Sequence, residues 1–149
     1  MSETKYVIVP PLEEESFEYV ISSIAYYNLV SAIPKGRVCP YEDIMGCLNK
    51  AYGKDSLETK RECNAVEFYI NKSFPYWRVV SQRGYLIDNI YCSKDTQKEK
   101  LEAEGIKINQ IGDKNSYRVD EFVNHRFDVN CFKITVMKTD KELFEQYLF

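Results

Sequence analysis

This sequence has very little histidine and no closely paired cysteines. Its single histidine is His125, and its five cysteines are spread along the chain without a Cys-x-x-Cys pair. Zinc sites and dithiol redox centres need such residues close together, and a cysteine nucleophile usually has a histidine as its base. We therefore expect no metal and no cofactor, and we expect the cysteines to be reduced thiols.

Long apolar runs are also missing. No stretch of the sequence reaches the roughly 20 apolar residues that cross a bilayer as a helix. The first residues lack the basic and then apolar pattern of a secretory signal. These absences predict a protein with no membrane partner, located in the cytoplasm, or in the nucleus if the source is a eukaryote.

What the sequence does have is the length of one globular domain, since 149 residues suffice to bury a core. The net charge of −3 argues against a general nucleic-acid binder. Lysine and arginine nevertheless exceed aspartate and glutamate within residues 34–83. A solvated surface of mixed charge would explain this excess equally well.

The most informative stretch is residues 73–80, Ser-Phe-Pro-Tyr-Trp-Arg-Val-Val. The residue before Pro75 is driven to an extended conformation, and Val79–Val80 favours a strand. Two aromatic rings and a guanidinium therefore lie where irregular chain enters a sheet. This arrangement predicts a pocket at Tyr76–Arg78, although aromatic side chains that simply fill a core are commoner.

A hairpin is predicted directly after this stretch. Gln82-Arg83-Gly84 has a turn pattern in which Gly84 takes a positive φ without strain. Residues 85–87 would then return as the partner strand of Val79–Val80.

The first part of the chain is predicted to hold a strand and a helix. Tyr6–Val9 is an apolar run stopped by two prolines, which is typical of an edge strand or an arm. Glu13–Glu15 fits the acidic first turn of a helix, where negative charge meets the positive end of the dipole. Apolar residues at helical spacing predict the rest of that helix over 17–33, and residues 33–38 end it.

Two further helices precede the hairpin in this interpretation. Pro40-Tyr41, followed by acidic residues, predicts the start of a short helix that ends near Leu48, and a loop follows over 49–55. Ser56 is expected to cap another helix over 57–71. This order of elements is that of a winged helix-turn-helix.

After the hairpin, Ser93 is predicted to cap a charged helix that Gly105 ends. Residues 106–111 and 117–119 alternate around a turn and predict a second hairpin. Farther on we expect a strand at 131–137, which would pair with Tyr6–Val9, and a short helix at 141–149. The predicted organisation is an N-terminal arm or edge strand over 1–16, a folded domain over 17–120 and a C-terminal extension over 121–149.

Four motifs occur in a fixed order: Ile33-Pro-Lys-Gly-Arg-Val38 with Tyr41 and Ile44; Arg61; Pro75-x-x-Arg-Val-Val80 with Gly84; and Gln97-x-x-x-Leu101-Glu-x-Glu-Gly105-Ile106. Together they resemble the O6-alkylguanine-DNA alkyltransferases, and especially the alkyltransferase-like proteins. The resemblance covers roughly residues 17–119. It implies a mainly α fold with small β hairpins, a winged helix-turn-helix of the alkyltransferase C-terminal-domain type with extensions at both ends.

The family enters the minor groove of double-stranded DNA and rotates an alkylated guanine into a pocket. By this resemblance Tyr41 would push the phosphate of the target nucleotide, and Arg61 would fill the vacated place in the stack. Without the resemblance, Tyr41 is an aromatic at a helix start and Arg61 a solvated charge. The residues expected to contact DNA are Tyr41, Lys60, Arg61, Asn64, Lys72 and Arg78. Those expected to line the base pocket are Tyr76, Trp77, Arg78, Tyr85 and Glu104.

The sequence departs from the family at the reactive centre. Where an alkyltransferase has Pro-Cys-His-Arg, this chain has Pro75-Tyr76-Trp77-Arg78. A phenol with a pKa of about 10 and an indole do not replace a thiolate, so we expect no enzyme activity. Alkyltransferase-like proteins also lack the cysteine but keep the histidine, so two rings would fill or narrow the pocket here. Glu104 is left without the cysteine–histidine network and would hydrogen-bond only locally.

Two functions fit these residues. The first is a non-enzymatic DNA-binding protein that recognises flipped bases, for example O6-alkylated guanine, and flags them for repair by others. The second is a protein-interaction or regulatory module without lesion binding, which would reach a protein partner through the C-terminal extension. Glu62 and Glu67 favour the second, because carboxylates on the predicted helix 57–71 would repel phosphate. Neither Cys39 nor Cys63 lies in the Pro-x-x-Arg loop, which argues against either as a substitute alkyl acceptor.

Overall fold

The structure is a computed structural model that describes residues 5–15, 18–54, 74–88, 92–112 and 116–138. The helices predicted over 57–71 and 141–149 lie outside this part of the chain. Four of the residues expected to contact DNA also lie outside the described ranges: Lys60, Arg61, Asn64 and Lys72. The described residues group into two compact units, one drawn from 1–29, 45–73 and 130–149 and the other from 30–44 and 74–129.

In the first unit, strand β1 (Tyr6–Val9) pairs in parallel with strand β8 (Lys133–Val136). The register runs from Tyr6 opposite Lys133 to Val9 opposite Val136. Side chains alternate along β1, so that Val7 and Val9 are buried while Tyr6 and Ile8 are exposed. The predicted pairing of these two parts of the chain is confirmed.

The helical start predicted at Glu13–Glu15 is wrong. Strand β2 (Glu13–Glu15) pairs antiparallel with strand β3 (Glu18–Val20), and helix α1 (Ser23–Ser31) begins only afterwards. Tyr19 and Val20 have high strand propensity. Ser22 then starts the helix, because its hydroxyl oxygen accepts the Ile24 N–H and its carbonyl accepts the Ala25 N–H.

Helix α2 (Tyr41–Tyr52) begins directly after Pro40, as predicted, but continues past the predicted end at Leu48. Its last turn is closed by two backbone hydrogen bonds, from Gly53 N–H to Lys50 and from Lys54 N–H to Asn49. Gly53 has a φ of 68°. The helix ends at this glycine, because the pair of bonds requires a left-handed residue there.

The second unit contains the central stretch. Residues Tyr76–Arg78 form one 3-10 turn, which leads into strand β5 (Val79–Val80). Strand β5 pairs in parallel with strand β4 (Cys39–Pro40). The strand at Val79–Val80 is confirmed, and so is the positive φ of Gly84, at 86°.

Only the turn of the hairpin predicted between β5 and residues 85–87 forms: Gly84 donates its N–H to the Ser81 carbonyl and Ser81 donates its own to the Tyr85 carbonyl, but β5 pairs with β4. Tyr85 forms a bridge with Arg118, and Leu86 donates its N–H to the Tyr117 carbonyl. The buried Gln97 side chain explains this difference: it donates to the Val79 carbonyl and accepts the Ile87 N–H, so its amide stands between the two segments.

Helix α3 (Lys94–Ala103) follows the prediction, with Ser93 as its cap and a positive φ at Gly105. Strands β6 (Ile108–Gln110) and β7 (Tyr117–Val119) form the predicted second hairpin, and helix α4 (Phe122–His125) comes after it. The buried core of this unit consists of Val38, Val80, Leu86, Leu101, Ile106, Ile108, Val119 and Phe122.

The described part of the chain therefore combines helices with small two-stranded sheets, which is a more even mixture than a mainly α fold. Within it, no helix is long and apolar enough to cross a membrane. The same residues contain no group of three or more His, Cys, Asp or Glu side chains arranged to hold a metal ion.

Candidate functional site

The site is built on the 3-10 turn at Tyr76–Arg78. Pro75 precedes the turn, and its carbonyl accepts the Arg78 N–H at 3.1 Å. On α3, Gln97 donates to the Trp77 carbonyl at 3.0 Å. The turn is therefore fixed both by its own chain and by the helix beside it.

A carboxylate anchors the side chains of this turn. Glu104 Oε2 accepts hydrogen bonds from Arg78 Nη2 at 2.9 Å and from Trp77 Nε1 at 2.5 Å. Its Oε1 accepts the backbone N–H of Gly36 at 2.9 Å. Arg78 also donates to the Ile33 carbonyl at 2.7 Å. The prediction that Glu104 hydrogen-bonds only locally is wrong. It accepts hydrogen bonds from the side chains of Trp77 and Arg78 and from the distant backbone amide of Gly36.

The Glu104–Arg78 ion pair is sheltered from solvent, since the two side chains are 7% and 14% exposed. Burial acts to raise the pKa of the Glu104 carboxyl, but the hydrogen bonds from Arg78, Gly36 and Trp77 and the charge of Arg78 outweigh it. The pKa of Glu104 therefore lies below the ordinary glutamate value, and the group stays ionised at neutral pH.

The aromatic rings of the turn pack edge to face. The Tyr76 and Trp77 ring centroids are 5.1 Å apart with planes at 86°. The Lys100 Nζ atom, on α3, lies 4.9 Å from the Trp77 centroid and 6.0 Å from that of Tyr76. All three side chains are half-buried. We call Tyr76, Trp77 and Lys100 the aromatic platform.

Two members of the site were missed from the sequence. In the sequence, Gln97 stands out only as part of a motif, and Lys100 is only one charge of the helix predicted between Ser93 and Gly105. The signal that would have found them is helical spacing, because positions 97, 100 and 104 follow one face of a helix. That face also carries Glu104, which the resemblance had already singled out.

The other expected site residues lie apart from this cluster or play a structural part. Tyr85 is half-buried and lies beside Arg118, whose guanidinium carbon is 5.7 Å from the Tyr85 ring centroid. Arg78, expected to contact both DNA and base, is bound to Glu104 instead. Tyr41 is the first residue of α2 and is 39% exposed. Cys39 is fully buried and its thiol donates to the Pro40 carbonyl, so it is poorly placed to accept an alkyl group.

The chemistry available at the platform is stacking, hydrogen bonding and charge. The turn presents a phenol and an indole, neither of which is a nucleophile at neutral pH. Rings with cations beside them suit flat, electron-rich or anionic ligands.

Two solved structures are similar to this chain. One is the crystal structure of Schizosaccharomyces pombe Atl1 in complex with damaged DNA containing O6-carboxymethylguanine, with 24% identity and a TM-score of 0.46. The other is S. pombe ATL in complex with DNA, with 24% identity and a TM-score of 0.47. Each likeness covers 68% of this chain and 90% of the other. No family model and no curated protein sequence matches the chain.

Proposed function

We propose that this chain is a non-enzymatic DNA-binding protein of the alkyltransferase-like type. In this proposal a base flipped out of the duplex, for example an O6-alkylated guanine, is received at the aromatic platform and flagged for repair by other proteins. The observation that carries the proposal is the Glu104 anchor. It binds the side chains of Trp77 and Arg78, and Trp77 packs against Tyr76, so the anchor lies at the two positions where the sequence resemblance expects the acceptor cysteine and its histidine.

Such a site recognises without reacting. Rotating a nucleotide out of the duplex costs a few kcal/mol of stacking and pairing, and stacking on an aromatic side chain returns about 1–3 kcal/mol per base. No covalent product would form, because a phenol and an indole replace the thiolate. The bound lesion would thus stay exchangeable, which suits a protein that marks damage in the cytoplasm or nucleus.

The duplex itself would be held outside the platform. In the proposal Tyr41 presses on a phosphate of the target nucleotide, and the remaining contacts to the minor groove come from Lys60, Arg61, Asn64 and Lys72. Arg78 contributes to the site through Glu104 rather than through DNA.

The test is fluorescence anisotropy with duplexes that do and do not contain O6-methylguanine, measured over a salt series. We expect salt-dependent binding and tighter binding to the methylated duplex. Tyr76→Ala should weaken binding to the methylated duplex by about fivefold to a hundredfold, the equivalent of one lost stacked ring. Tyr19→Ala is the matched control, because Tyr19 also has a lysine, Lys54, over its ring but lies in the other unit.

A second candidate function is a protein-interaction or regulatory module. One observation favours it: Arg78, one of the residues expected to contact DNA, is paired with Glu104 instead. An absence of binding to either duplex at low ionic strength would reject the DNA proposal and leave this candidate.

A further inference from the structure

Lys100 differs from its neighbouring cations in what it contacts. Arg78 is paired with Glu104, and Lys98, also on α3, is paired with Glu102 at 3.0 Å. In the described residues Lys100 lies over two aromatic rings and has no carboxylate partner. The half-buried platform therefore carries one positive charge that no described acid balances.

The geometry leaves this ammonium able to bind an anion. A ring face attracts a cation through its quadrupole but uses none of the three N–H donors directionally. Because Lys100 is half-buried and its ammonium lies beside two rings, a hydrogen bond from it to an anion is stronger than the same bond at a fully exposed lysine. The Glu104 carboxylate, four residues after Lys100, is already occupied by four donors.

We propose that Lys100 makes the platform selective for a planar heteroaromatic ring with an adjacent anionic group, that is, for a nucleotide over a nucleoside. The ring stacks against Tyr76 or Trp77, and the Lys100 ammonium turns to the phosphate. This inference rests on the proposed function and gives its site a specificity-determining residue. The same chemistry is offered by a free nucleotide and by a nucleotide unit of a DNA strand.

The single tryptophan of the sequence, Trp77, provides the readout. Its fluorescence is followed during titration of the full chain with deoxyguanosine, with deoxyguanosine 5′-monophosphate and with inorganic phosphate. We expect the monophosphate to bind about tenfold more tightly than the nucleoside, which is the contribution of one charge-assisted hydrogen bond. Titration with a single-stranded oligonucleotide that contains guanine shows whether the site prefers a nucleotide unit within a DNA strand or a free nucleotide.

The variants assign this preference to one side chain. Lys100→Gln should abolish the difference between nucleotide and nucleoside, and Lys100→Arg should retain it. Lys98→Gln is the matched control, since Lys98 also lies over a ring, that of Tyr117, but is paired with Glu102. It should leave the preference unchanged. Equal urea midpoints exclude an effect of unfolding.

Several outcomes overturn the inference. These are equal quenching by nucleoside and nucleotide, no quenching by the nucleotide, a preference that survives in Lys100→Gln, or inorganic phosphate binding as tightly as the nucleotide. Failure of the proposed function is distinguishable. If the chain prefers the nucleotide through Lys100 but does not bind duplex DNA, this inference holds and the proposed function is rejected. If the natural chain and Lys100→Gln bind the methylated duplex equally well, the proposed function holds and this inference is rejected.

Discussion

Glu104 lies in an unfavourable place for an acid. It is the residue that ends α3, and the C-terminus of a helix carries partial negative charge that repels a carboxylate. The hydrogen bonds from Arg78, Trp77 and Gly36 offset both this repulsion and the loss of water. The group therefore ties three separate stretches of the second unit to one point.

Replacing this carboxylate should cost stability. Glu104→Gln leaves the Arg78 guanidinium sheltered without its counter-charge, and we expect a loss of about 3 kcal/mol in the free energy of unfolding. Glu102→Gln is the control, because it breaks an ion pair on the exposed side of the same helix, where solvent screens the charges and the loss should be much smaller. Urea unfolding followed by circular dichroism measures both. Equal losses in the two variants would contradict a special role for Glu104.

The same group predicts how stability changes with pH. The pKa of Glu104 is lower in the folded chain than in the unfolded chain, where the pKa of glutamate is about 4.3. Its stabilising contribution is therefore complete above that unfolded value and is lost as the pH falls through the folded pKa. The stability gap between the natural chain and Glu104→Gln should shrink on acidification from pH 7 to pH 3. A gap that widens over this range would contradict the assignment.

Among the elements, the turn at Gly84 depends on two separate constraints. Its φ of 86° suits glycine, and a Cβ atom there would lie 2.6 Å from Cγ of Phe122, a residue of the buried core. Gly112 also has a positive φ, of 71°, but a Cβ atom there would meet nothing within 4 Å. Alanine substitutions at these two glycines therefore separate the cost of the left-handed backbone from the cost of a collision with Phe122.

We expect Gly112→Ala to lower the free energy of unfolding by about 1 kcal/mol, the cost of a left-handed alanine. Gly84→Ala should lower it by about 1–3 kcal/mol more, because Phe122 must also move. Thermal and urea unfolding check both values. Similar losses for the two variants would show that Phe122 yields without cost.

Elements governed by local chemistry were predictable from the sequence, and elements governed by distant partners were not. Ser93 and Gly105 mark the ends of α3 through their own preferences, and both predictions are confirmed. Tyr85 forms a bridge, as a strand residue would, but its partner is Arg118, and the side chain of Gln97 takes the place of the expected pairing with β5. A single buried amide contributed by another element leaves no periodic signal in the sequence.

The candidate site divides in the same way. The turn of Tyr76–Arg78 was identifiable from proline and valine preferences, and the resemblance drew attention to Glu104. The bonds between them were not predicted, because they depend on how α3 packs against the turn. The place of Lys100 over the rings was missed for the same reason.

At the scale of the whole molecule, the pairing of β1 with β8 joins positions far apart in sequence. Val9 is fully buried in β1, its carbonyl accepts the Met137 N–H at 2.8 Å, and its neighbour Ile8 is 57% exposed. The strand therefore offers an internal comparison between a buried and an exposed side chain of similar kind.

Val9→Ala should cost about 2 kcal/mol of stability, because it removes buried methyl groups. Ile8→Ala should stay within about 0.5 kcal/mol. Hydrogen exchange at the Met137 amide is the local readout, and its protection should fall by about thirtyfold in Val9→Ala if that amide opens with its unit. Unchanged protection in Val9→Ala would mean that β8 holds its place without β1.

The parallel alignment of Tyr6 with Lys133 also has a consequence for synthesis of the chain. Strand β1 is translated before its partner β8, and almost every other described residue is translated between the two. Until β8 is translated, the backbone donors and acceptors of β1 are open to foreign strands. Fast translation, or a chaperone that covers β1 in the nascent chain, should therefore raise the yield of native protein more than it would for a fold whose strands pair with near neighbours.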